Sequence, residues 1–123
     1  MKLRIRGNMV RIRLTQSEVA RLAAGSRVEQ TTTFSAISKL VSSVETSGAT
    51  QAAVKFDGAD LAVILPADRV CHWAASDDVS IDETQAVGAG QSLRLLIEKD
   101  FECMHSRAEM DTDAFPNPRK IER

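Results

Sequence analysis

Two short runs in which charged and apolar residues alternate, Lys2-Leu3-Arg4-Ile5-Arg6 and Val10-Arg11-Ile12-Arg13-Leu14, lie on either side of the dipeptide Gly7-Asn8. Alternation at period two sends successive side chains to opposite faces of an extended chain, so each run can bury its apolar set only as a strand. A Gly-Asn pair between two such runs is the signal of a tight two-residue hairpin. With the turn centred there, Leu3 faces Ile12 and Ile5 faces Val10 on one side. Lys2 then faces Arg13 and Arg4 faces Arg11 on the other. A slip of one residue would mix the two sets, so the pattern also sets the register. Such a hairpin needs an apolar layer against one face and water or anions against the other.

The residues that follow specify a helix start. Thr15 is an N-cap candidate, and Glu18 three residues later completes a capping box. Leu14 and Val19 stand in the positions of a hydrophobic staple. Val19, Leu22 and Ala23 form a short apolar stripe, and Gly25 supplies a left-handed residue to end the helix.

Beyond Gly25 the chain is rich in Thr, Ser and Val, and residues 27–34 and 39–46 read as strands, with a turn at Ser47-Gly48-Ala49. Residues 52–56 and 61–65 read as another hairpin joined through Asp57-Gly58-Ala59-Asp60. The second of these is apolar on both faces, which suits a central strand. Pro66 fits the first turn of a second helix over residues 67–75, in which Val70, Trp73 and Ala74 share a face. Residues 79–81 read as a short strand, 87–92 as a Gly-containing loop, and Leu93, Leu95 and Ile97 mark a last strand.

No βαβ alternation and no internal repeat is evident. The expected fold is α+β, a mainly antiparallel sheet of about seven to eight strands with two short helices. Residues 1–103 form the expected single domain, and 104–123 a polar, flexible tail containing Phe115-Pro116-Asn117-Pro118.

Composition narrows the function classes. Sixteen basic and seventeen acidic residues nearly balance, so net charge points to no partner. Aromatic residues make up 4% of the chain, with no Tyr, a poor inventory for stacking bases, which argues against nucleic acid. No basic segment precedes an apolar run at the N-terminus. The longest apolar stretch, Leu61-Ala62-Val63-Ile64-Leu65, is far short of a membrane span. A cytoplasmic protein with no membrane partner is the expectation, and Cys71 and Cys103 are expected as reduced, buried or half-buried thiols.

The sharpest site candidate is the polar face of the hairpin, where Lys2, Arg4, Arg6, Arg11 and Arg13 project within a small area. Like charges opposite one another across strands repel, so something should compensate them. Carboxylates from other strands could do so, with Glu29, Glu45, Asp57 and Glu98 as candidates. A bound anion held by Arg forks could do the same, as could a second subunit covering the face.

Other chemistry finds less support. Cys71, His72, Cys103 and His105 give the count for a zinc site, but adjacent Cys71 and His72 on a helix point in different directions, so no metal or other cofactor is expected. No nucleophile elbow is present. The segment Gly88-Ala89-Gly90-Gln91-Ser92 precedes a strand, unlike a phosphate-binding loop, and reads as a flexible turn. Glu98-Lys99-Asp100-Phe101 reads as a polar strand end stapled by Phe101.

With Lys2 to Arg6, Leu14-Thr15-Gln16-Ser17-Glu18-Val19 and Ile97-Glu98-Lys99-Asp100-Phe101 in view, the chain resembles a family of short bacterial proteins of unknown function. That family shares an R-x-R opening, an L-T-x-x-E-V helix start, an E-K-D-F segment and a proline-containing tail. The likeness covers most of the chain and implies no catalytic residue. A weaker likeness is to the triphosphate tunnel (CYTH) superfamily, whose charged strands bind phosphate chains with Arg and Lys and metal with Glu. Lys2, Arg4 and Arg6 stand here where its E-x-E-x-K motif would be, so the metal carboxylates that the likeness implies are missing from that place.

Two functions follow. One is a non-catalytic binding or interaction module that uses the basic face for a small anion or an acidic protein surface. The other is a metal-assisted phosphate-ester or polyphosphate hydrolase with Glu29, Glu45 or Glu98 holding the ion.

Overall fold

The computed structural model of the chain describes residues 1–101. The hairpin forms as its alternation dictates: β1 (Lys2–Arg6) and β2 (Met9–Leu14) pair antiparallel, with Leu3 opposite Ile12 and Arg4 opposite Arg11. Gly7 has φ of 54°, the positive value that the first central residue of a tight II′ turn adopts.

Helix α1 (Gln16–Ala23) begins with a complete capping box. The Glu18 N–H donates to the Thr15 hydroxyl, and the Thr15 N–H donates to the Glu18 carboxylate at 2.9 Å. It ends in a Schellman motif through Gly25, whose φ is 96°. There the Gly25 N–H donates to the Leu22 carbonyl at 3.0 Å and the Ser26 N–H to the Arg21 carbonyl at 2.9 Å.

Six more strands and a second helix follow: β3 (Val28–Ser35), β4 (Ser38–Ser47), β5 (Ala53–Phe56), β6 (Asp60–Pro66), α2 (Ala67–Ala75), β7 (Ser80–Gly88) and β8 (Gln91–Lys99). The α+β class, the two helices and the eight strands agree with the sequence reading. The single, mainly antiparallel sheet does not. The strands divide into two mixed sheets of four, ordered β1-β2-β8-β7 and β3-β4-β6-β5, each with a parallel pair at its centre. Those pairs, β2 with β8 and β4 with β6, join strands that are not neighbours in the sequence, which turn signals between sequence neighbours do not register.

The Gly-containing stretch also differs from expectation. Val87 and Gly88 close β7, Gln91 and Ser92 open β8, and only Ala89 and Gly90 turn between them. The expected domain boundary at 103, the tail over 104–123, Cys103 and His105 lie outside the described residues.

The topology carries an internal repeat that the sequence did not show. The series β1-β2-α1-β3-β4 recurs as β5-β6-α2-β7-β8, and each repeat gives its second hairpin to the sheet started by the other. Equivalent residues lie 51 positions apart through the helices, as Leu3–Ile12 and Val54–Val63 show, and 53 apart beyond them, as Val28–Val44 and Ile81–Ile97 show. The two-residue difference falls between α2 and β7.

Burial obeys the same rule. Val10, Ile12, Leu14, Val19 and Leu22 match Leu61, Val63, Leu65, Val70 and Trp73, and all ten are buried. Val28 and Val44 likewise match Ile81 and Ile97. The buried residues of both sheets and both helices make one core, except that Leu61 stands outside its main cluster. Identity is low within matched pairs, Leu22 against Trp73 for instance, because a core demands apolar volume more than particular residues.

Candidate anion-binding face

The outer face of the sheet β1-β2-β8-β7 is a grid of matched side chains. Cross-strand register aligns Lys2, Arg13, Glu98 and Ser80 in one row, Arg4, Arg11, Leu96 and Asp82 in the next, and Arg6, Met9, Arg94 and Thr84 in the third. All five cations expected from the sequence share this face. A sixth, Arg94, joins them because the parallel pairing of β2 with β8 sets it beside Met9. Only that long-range pairing reveals Arg94, since β8 by itself shows a single isolated Arg between leucines.

Among the described residues three carboxylates answer the six cations. Glu98 accepts from Arg11 Nε at 2.8 Å and from Arg13 Nε at 3.3 Å, both on its Oε1. With only 16% of its side chain exposed, this carboxylate is the best shielded on the face. Both arginines are held through Nε, and neither makes a hydrogen bond through a terminal Nη group among the described residues. Lys2 Nζ lies 3.1 Å from Asp100 Oδ2. Arg94 makes a two-pronged pair with Asp82, Nε to Oδ1 at 3.1 Å and Nη2 to Oδ2 at 2.7 Å. That hydrogen bond, with the charge behind it, holds the Asp82 carboxyl below its usual range against the opposing effect of burial, and raises Arg94 in turn.

Arg4 and Arg6 have no carboxylate partner among the described residues. Beside Arg4 a shallow groove of about 290 Å³ is lined by Lys2, Leu3, Arg4, Arg11 and Arg13.

Of the four carboxylates considered from the sequence, only Glu98 reaches this face. Glu29 pairs with Arg27 at 3.2 Å, Glu45 belongs to β4 in the other sheet, and Asp57 sits in the turn before β6, accepting from the N–H groups of Ala59 and Asp60. Asp82 and Asp100, which the sequence did not single out, do the compensating instead. The charged strand residues point outward, and the space between the sheets is filled by Val10, Ile12, Val44, Val63, Ile97 and their neighbours.

The thiol expectation changes as well. Cys71 is exposed on α2, with Sγ 3.8 Å from the Ala23 carbonyl, because the buried stripe of that helix runs through Val70 and Trp73. Among the described residues no three His, Cys, Asp or Glu side chains come together as a metal site, and no helix is long and apolar enough to cross a membrane.

The repeat provides an internal reference for this charge. At the positions equivalent to Lys2, Arg4, Arg6, Arg11, Arg13 and Arg94 the other sheet and its β5–β6 turn place Ala53, Lys55, Asp57, Ala62, Ile64 and Val41. One cation in six is kept. The fold therefore forms the same pairings without the basic face.

Comparison with known proteins adds a family but no activity. A family model described as a family of unknown function, DUF7009, matches residues 1–119. No curated protein and no solved structure matches the chain.

Proposed function

The chain belongs to DUF7009, a family of unknown function, and on the geometry of its own basic face we propose that it is a non-catalytic module that binds an anionic ligand or acidic partner there. The observation that carries this reading is the contrast between the two outer sheet faces. Six cations crowd one of them, and five of the six equivalent positions of the other sheet hold no cation. Clustered like charges cost stability, so a fold that can do without them keeps them for another reason.

The arrangement suits recognition. Glu98 fixes two guanidiniums by Nε, and the open groove between β1 and β2 lies beside Arg4. Planar guanidinium forks with free Nη groups bind carboxylates and phosphates in two-point fashion.

The carboxylates support binding over metal-assisted hydrolysis. Glu98 and Asp100 are each engaged by cations, and among the described residues no group of three potential metal ligands gathers around them. Hydrolysis of a triphosphate in the presence of magnesium or manganese would favour the enzymatic alternative.

The test is a thermal-shift screen at low ionic strength with pyrophosphate, polyphosphate and poly-glutamate, against wild type and the double variant Arg4→Glu/Arg6→Glu. At least one polyanion should raise the melting temperature of wild type, lose that effect in the double variant and lose it in high salt. Equal shifts in both proteins, or none in either, would overturn the reading.

A further inference from the structure

Four strands border the sheets, β1 and β7 in one, β3 and β5 in the other. Two of these edges are joined: the Val54 N–H of β5 donates to the Gln85 side-chain oxygen of β7 at 2.8 Å. Under the repeat, Val54 corresponds to Leu3 of β1 and Gln85 to Thr32 of β3. Thr32 is exposed and carries no amide to reach across, and no hydrogen bond joins β1 to β3 among the described residues. One seam between the sheets is latched and its counterpart is open.

The main-chain groups that face the open seam can be named. In a two-residue hairpin the closing pair, here Arg6 with Met9, exchanges hydrogen bonds, and alternate pairs along the ladder do not. Ile5 and Leu3 therefore direct their N–H and C=O groups away from β2, just as Val54 does at the latched seam. Ile5 is 59% exposed.

We propose that the β1 edge receives an extended peptide segment of alternating acidic and apolar residues, which pairs with the Leu3 and Ile5 main chain and sets its carboxylates against Lys2, Arg4 and Arg6. The proposal rests on the anion-binding reading above and names its partner. Charge and backbone choose the same occupant. Cations at every second position of β1 line one face of any added strand, while Leu3 and Ile5 offer an apolar margin on the other. Strand addition to an exposed edge takes its affinity from main-chain hydrogen bonds, which a phosphate polymer cannot supply, and its specificity from alternate side chains. A second copy of β1 is disfavoured, because antiparallel self-pairing sets Arg4 against Arg4 and Lys2 against Arg6.

The test uses the full chain and a fluorescein-labelled peptide with three glutamates alternating with valines, the same peptide with lysines as reference, and pyrophosphate as competitor. The acidic peptide should bind at low salt and the lysine peptide should not. Arg4→Glu/Arg6→Glu should weaken binding by tenfold or more, as expected for charge-assisted contacts. Ile5→Pro removes one edge N–H without touching the β1–β2 ladder, and should cost about tenfold in peptide affinity while leaving pyrophosphate binding unchanged.

In wild type, the Leu3 and Ile5 amides should become protected from hydrogen exchange on adding peptide, a readout that needs no variant to fold. Peptide binding without that protection, or undiminished in a folded Ile5→Pro protein, overturns strand addition. Pyrophosphate binding with no peptide binding overturns this proposal alone. Binding of neither removes the anion reading with it.

Discussion

Leu14 and Leu65, Ile12 and Val63, and Leu22 and Trp73 hold matching places in the two repeats, and all six are sealed from solvent. Arg11 and Ala62, Arg13 and Ile64, and Lys2 and Ala53 also hold matching places, yet share neither charge nor size. Burial constrains the first set, because any polar or undersized residue there costs several kcal/mol. Nothing in the fold constrains the second, so what accumulated on each outer face reports something other than folding. The basic face is the larger departure. Ser42 is another: it sits in the core at the place of Leu95, 1% exposed, and its hydroxyl has no hydrogen-bond partner among the described residues.

If the repeats are equivalent at the core, truncation should hurt both alike. Leu22→Ala should cost about 2–5 kcal/mol and Trp73→Ala about 3–5 kcal/mol, read from urea denaturation. A Trp73→Ala protein with near-normal stability would show that α2 is not packed as α1 is.

The helix starts should then separate the repeats. Thr15→Ala removes a cap that accepts from Glu18, and should cost about 1 kcal/mol. At the equivalent place Pro66 has no side-chain cap to lose. Pro66→Ala should therefore cost less than Thr15→Ala, and the reverse order would break the comparison.

A smaller difference should appear between two equivalent glutamates. Glu98→Gln withdraws the shared partner of Arg11 and Arg13 and should destabilise by about 1 kcal/mol at low salt, more than it does in high salt. Glu45→Gln, at the matching place in β4, should stay within about 0.5 kcal/mol of wild type. Ser42→Ala should move the other way. Removing an unsatisfied buried hydroxyl relieves a desolvation cost of the order of 1 kcal/mol, set against a small loss of volume. A destabilised Ser42→Ala protein would mean that the hydroxyl has a partner in solution.

The first hairpin and first helix were legible in the sequence because their signals are local: alternation around Gly7-Asn8, Thr15 three residues before Glu18, and Gly25 after the last turn. The five hairpin cations were legible for the same reason. What was not legible depends on strands far apart in the chain. Arg94 joins the cations, and Glu98 reaches Arg11, only because β8 lies parallel to β2. The repeat stayed hidden because most of its matched buried positions are apolar without being identical, and because the offset between them changes from 51 to 53 residues.

The weakest expected effect is in acid, and it also divides the repeats. Burial pushes the Glu18 carboxyl up, but the Met1 ammonium at 2.8 Å and the Thr15 N–H and hydroxyl together hold it below its ordinary value of 4.5. The residue equivalent to Glu18 is Arg69, which pairs with Glu83 of β7 and makes no capping box. A carboxylate whose folded value is depressed adds stability that is present above its unfolded value and is lost as pH falls through the folded one. Glu18→Gln should therefore melt below wild type at neutral pH, and the gap should close as pH is taken below about 4. Asp82→Asn should show the same sign with a smaller gap, since Asp82 and Arg94 are both well exposed and water screens the pair. A gap for Glu18→Gln that stays constant down to about pH 3 would show that Glu18 acts through packing instead of charge, and would bring its role closer to that of Arg69.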